Sequence, residues 1–111
     1  MVTHQEDTVW EALGDRNRRE IVLRLSESPR AVGELAAYLP VSRSAVSQHL
    51  KVLKDAGLVA ERAVGTRRIY RVNEVGVLAL RDQLDTFWKR ALSGYQELVE
   101  PPSEEESEHG K

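Results

Sequence analysis

A chain of 111 residues with no cysteine excludes disulfide bonds, thiolate metal sites and thiol redox sensing together, and its length suits one domain with a modest core. Its net charge of -2 argues against a nucleic-acid partner taken alone. The distribution argues the other way: from Ser42 to Asn73, Arg43, Lys51, Lys54, Arg62, Arg67, Arg68 and Arg71 stand against only Asp55 and Glu61, while Glu100 to Lys111 is strongly acidic.

The opening residues MVTHQEDTVW hold no basic stretch and no apolar run, so no secretory signal is expected. No segment approaches the apolar length of a membrane span, and the expected location is the cytoplasm. A short helix is expected from Thr8 to Leu13, ended by Gly14. Asp15 is placed to cap the next helix, whose apolar positions Ile21, Val22 and Leu25 have helical spacing and which Ser28 and Pro29 stop. A third helix is expected from Val32 to Tyr38, burying Val32, Leu35 and Ala36, followed by a tight turn at Leu39, Pro40 and Val41.

Ser42 to Val59 is the most informative stretch. Val46, Leu50 and Leu53 recur at i, i+4 and i+7, the stripe of a helix buried on one side. Arg43, Ser44, Ser47, Gln48 and Lys51 fill the other side with hydroxyls, one amide and two cations. Such a face suits base edges flanked by phosphates, and residues 42–56 read as a DNA recognition helix. His49 lies between the two faces; it joins the DNA-contacting set through a structural or phosphate-proximal hydrogen bond rather than by reading bases. Ser42 caps this helix and Gly57 ends it from a left-handed position.

Beyond Gly57 the period changes. Leu58 to Val64 and Arg67 to Val72 are short, rich in β-branched residues and joined by Gly65-Thr66, the pattern of a β-hairpin. Arg67 and Arg68, just past the turn, are expected on the phosphate backbone. The last helix is expected from Val75 to Val99, about 37 Å long. Val77, Leu80, Leu84, Phe87, Trp88, Ala91, Leu92, Tyr95 and Leu98 form a stripe too extensive for a core of this size. A second copy is the simplest partner, with Val9, Trp10, Leu84, Phe87, Trp88, Leu92 and Tyr95 as interface residues. Pro101 and Pro102 end the helix, and residues 100–111 read as a disordered acidic tail.

The fold class is therefore mainly α with a small β-hairpin, a winged helix-turn-helix dimeric through its terminal helices, with residues 1–99 as the DNA-binding and dimerisation domain. The blocks LGDRNRREIVLRL, VGELAAYLPVSRSAVSQHLKVLKDAGLV and GTRRIYRV resemble the ArsR family of bacterial repressors over about residues 8–99. The resemblance implies a homodimeric repressor that leaves a palindromic operator when a signal arrives. The metal sites of its metal-sensing members are missing: Leu35, Ala36, Ala37 and Tyr38 stand where those members place cysteines, and the last helix has no histidine. Asp82 and Asp85 do not by themselves make a zinc or nickel site, so no metal and no cofactor are expected. The small-molecule effector is unknown. No nucleophile–histidine–acid motif and no Gly-rich phosphate loop appears, so an enzyme is not expected. The competing readings are a protein-interaction module that never touches bases, and a regulator answering an unidentified small effector.

Overall fold

Asp15 accepts hydrogen bonds from the amides of Asn17 at 2.8 Å and Arg18 at 3.2 Å, so the second helix begins where a side-chain acceptor meets its orphan donors. The computed structural model describes residues 4–99. In chain order they form α1 (His4–Ala12), α2 (Arg16–Glu27), β1 (Arg30–Ala31), α3 (Val32–Ala36), α4 (Arg43–Asp55), β2 (Val59–Val64), β3 (Arg67–Val72) and α5 (Glu74–Val99). The described residues divide into two compact units, one ending at Leu78 and one beginning at Ala79 within α5. The acidic tail expected at 100–111 lies outside the described residues.

The core of the first unit is built from Ile21 and Leu25 of α2, Leu35 of α3, Val46, Leu50 and Leu53 of α4, and Leu58 and Val59 at the entry to β2. α2 and α4 each contribute one face at helical spacing, which is why their apolar periodicity is readable without the structure. The carbonyls left open at the end of α1 are taken by arginines of α2. Arg18 donates Nε to the Ala12 oxygen at 2.7 Å, and Arg19 donates to the Leu13 oxygen at 2.8 Å.

The hairpin pairs Val59 with Val72 through to Val64 with Arg67, leaving Gly65 and Thr66 as a two-residue turn. Gly65 has φ 65° and no non-glycine residue among those described has positive φ, so one left-handed position at the first turn residue suffices, as in a type II′ turn. Gly57, at φ 82°, closes α4. The three-stranded antiparallel sheet has order β1-β3-β2, and helices, turn and hairpin together make a winged helix-turn-helix. No helix among the described residues is long and apolar enough to cross a membrane.

Several element bounds depart from expectation. The first helix starts at His4, a turn before Thr8. β1 is additional; with two residues it has no period to read, and only its pairing of Arg30 with Tyr70 and Ala31 with Ile69 defines it. α3 ends at Ala36 instead of Tyr38, because the Tyr38 amide bonds to the Leu35 carbonyl in a tightened turn. Val32 and Ala36 are half-buried and Leu35 alone of that helix is fully covered.

The amide of Arg18, and then that of Asn17, holds the Asp15 carboxyl below its ordinary value of 3.8. A depressed carboxyl contributes stability that is complete above the unfolded value and is lost as pH falls through the folded one. Replacing Asp15 with Ala is therefore expected to cost about 1 kcal/mol near neutral pH. The gap between parent and variant should close as pH drops below about 4, a trend that denaturant melts across pH measure directly.

Candidate nucleic-acid interface

The Ser42 hydroxyl accepts from the Ala45 amide at 3.1 Å and sets the first turn of α4. With Val46, Leu50 and Leu53 fully buried on the inner side, the helix turns Ser44, Ser47, Gln48 and Lys51 outward, all exposed. The two small hydroxyls leave room for close approach and the Gln48 amide offers a donor and an acceptor in one plane. Asp55 adds one carboxylate to this side: it takes the Lys51 ammonium at 3.0 Å. Both partners are more than half exposed, so the pair is worth a few tenths of a kcal/mol and is readily exchanged.

Arg43 and His49 each lie against another helix. A Cβ built on Gly33 of α3 would stand 3.4 Å from the Arg43 guanidinium, so Arg43 lies across the start of α3. His49 is half-buried, with its Nδ1 3.3 Å from Arg18 Nη1. That nitrogen is engaged within the fold, so His49 ties α4 to α2 and does not stand among the outward base-facing residues. Arg18, which reaches α1 and α4 at once, carried no such signal in the sequence, since its partner lies 31 residues away.

In the hairpin, side chains alternate between faces. Register puts Glu61, Tyr70 and Arg68 on one face and Arg62, Ile69 and Arg67 on the other, so Arg67 and Arg68, expected to act together, point to opposite sides. Arg67 lies 3.7 Å from Glu34 of α3. Arg68 lies 3.2 Å from Glu61, which also accepts the Lys54 ammonium at 2.8 Å. The Lys54 hydrogen bond, followed by that of Tyr70, holds the Glu61 carboxyl below the usual carboxylate range. Burial first, and then the Glu61 acceptor, pushes the Tyr70 phenol up. Lys54 and Glu61 were not singled out in the sequence; Lys54 sits three residues beyond Lys51 and so continues the outward line of α4.

Of the two α1 residues expected at an interface, Val9 is 5% exposed and is spent in the core of its own chain, whereas Trp10 is exposed. A nine-residue helix shows too few turns for its inner face to be told from its outer one. In the second unit Leu84, Phe87, Trp88, Leu92 and Tyr95 are all exposed, Trp88 at 52% and Tyr95 at 62%. Phe87 and Trp88 meet edge to face with centroids 5.3 Å apart. Among the described residues no group of three or more His, Cys, Asp or Glu side chains is arranged to hold a metal ion.

Residues 15–61, which run from the α2 cap into β2, match the family model described as bacterial regulatory protein, arsR family. The chain is 60% identical over 94 residues to the HTH-type transcriptional regulator Rv2034 of Mycobacterium tuberculosis, covering 85% of this chain and 88% of that protein. Its fold is similar to an ArsR-like transcriptional regulator from Rhodococcus sp. RHA1, with TM-score 0.73 and 30% identity over 91% of this chain and 95% of that one. It is also similar to the homodimeric winged helix-turn-helix DNA-binding domain Mb0332 from Mycobacterium bovis, with TM-score 0.64 and 30% identity over 81% and 83%.

Proposed function

The chain belongs to the ArsR family of bacterial regulatory proteins and is a DNA-binding transcriptional regulator; from that premise we propose that it works as a homodimeric repressor on an inverted-repeat operator. α4 enters the major groove and reads bases with Ser44, Ser47 and Gln48, Lys51 takes a flanking phosphate, and the wing follows the backbone. The observation that carries this reading is the outward face of α4, where small hydroxyls and one amide lie between Arg43 and Lys51. A two-fold dimer presents two such helices, and a site matching that symmetry is an inverted repeat. Where its operator overlaps the polymerase site, a bound dimer excludes polymerase sterically, and repression is then the expected outcome of binding.

The dimer reading rests on α5. Leu84, Phe87, Trp88, Leu92 and Tyr95 expose large apolar surface at helical spacing, the kind of stripe that a second copy of the same helix covers.

Gln48 is the decisive residue for base reading, because a side-chain amide can pair bidentately with adenine. Gln48→Ala is expected to lose about 1–3 kcal/mol of operator binding and to relax preference at a single base position, with scrambled DNA bound as before. Equal behaviour of parent and variant on operator and scrambled duplexes would remove Gln48 from the reading face.

A further inference from the structure

The recognition helix and the wing meet at one carboxylate. Glu61 accepts Lys54 from the last turn of α4 at 2.8 Å and lies 3.2 Å from Arg68 on the neighbouring strand. Its side chain is 17% exposed, while those of Lys54 and Arg68 are 45% and 65% exposed. The Tyr70 hydroxyl donates a hydrogen bond to the same carboxylate. Two cations this exposed need no counter-ion for their own solvation, since water serves them. A fixed anion is, moreover, unfavourable on a surface that approaches DNA. Any phosphate that takes Lys54 or Arg68 must first draw it from Glu61, and the three groups together present a charge of about +1 where two free cations would present about +2.

We propose that Glu61 is a built-in competitor for DNA phosphate: it occupies Lys54 and Arg68 in the free protein and so holds down affinity for DNA of any sequence, leaving discrimination to the outward face of α4. This inference rests on the DNA-binding role assigned to α4 and the wing. It concerns non-specific affinity, because phosphates carry no sequence information.

The test is fluorescence anisotropy of the full chain on operator and scrambled duplexes of equal length, across a range of salt. For Glu61→Gln, scrambled-DNA affinity is expected to rise roughly tenfold or more at about 0.15 M salt. The plot of log K against log salt should steepen by about one unit per protomer. Glu61→Asp, which keeps the charge, should retain the parent slope. Arg68→Ala should flatten the slope more in the Glu61→Gln background than in the parent, the coupling expected if Glu61 already holds Arg68. Near-ultraviolet circular dichroism of each variant certifies its fold. An unchanged slope and unchanged scrambled-DNA affinity in Glu61→Gln would overturn the proposal. A loss of affinity for both duplexes would also overturn it, and would make Glu61 a clasp that positions the wing. Failure of the parent to bind any duplex would instead remove the DNA-binding role itself.

Discussion

Trp88→Lys is expected to turn a dimer into a monomer and to weaken operator binding by about two to four orders of magnitude. Half of the Trp88 surface is exposed in the single chain, so its replacement leaves the core of Ile21, Leu35, Leu50 and Leu53 untouched and the first unit should melt as before. In the dimer the same position would bury an ammonium against Leu84 or Leu92, and an unpaired buried charge is costly. The loss on DNA follows from linkage of two reading heads. With both heads on one dimer the second half-site is met at high effective concentration, and with monomers that gain disappears. Sedimentation velocity at micromolar concentration measures the first effect and anisotropy on the operator the second. A parent that is monomeric at that concentration, or a variant that stays dimeric with unchanged affinity, would contradict the assignment of α5.

The second large effect is one of sign. Gly76 is the third residue of α5, and judged by helix propensity alone its replacement with Ala should stabilise by about 1 kcal/mol. The structure forecasts the opposite. A Cβ at position 76 would run into the carbonyl oxygen of Gly57, with the Gly57 carbonyl carbon at 2.9 Å. Gly57 is itself committed to φ 82° as the stop of α4, and the Leu58 amide behind it bonds to Leu53 at 3.0 Å, so that backbone is not free to yield. Overpacking of this kind costs about 1–3 kcal/mol, and against backbone the upper part of that range applies, leaving Gly76→Ala destabilised by about 2 kcal/mol. For a domain of this size the melting temperature should fall by about 10 °C. A rise in melting temperature would show that the start of α5 does not sit against the end of α4.

What was legible in the sequence was local. The Val46, Leu50 and Leu53 stripe, the caps Asp15 and Ser42, the stop at Gly57 and the Gly65-Thr66 turn each depend on residues within a few positions, where spacing and side-chain chemistry decide the outcome. Contacts made across the fold were not legible. His49 meets Arg18 from 31 residues away, and nothing near either residue announces it. Lys54 and Glu61 lie on different elements and are joined only by how β2 leaves α4. Val9 was assigned to an interface because a short helix does not say which of its faces is covered first. The separation of Arg67 from Arg68 was different: strand alternation already contains it, and grouping them by charge obscured it.

Selection of bound duplexes from a random-sequence pool by the full-length protein tests most directly whether a symmetric dimer reads DNA through two copies of α4. The expected winner is an inverted repeat whose half-sites are centred about one helical turn apart, or a multiple of it, as two recognition helices on one face of the duplex require. Enrichment of a single asymmetric motif, or of no motif at all, would contradict it.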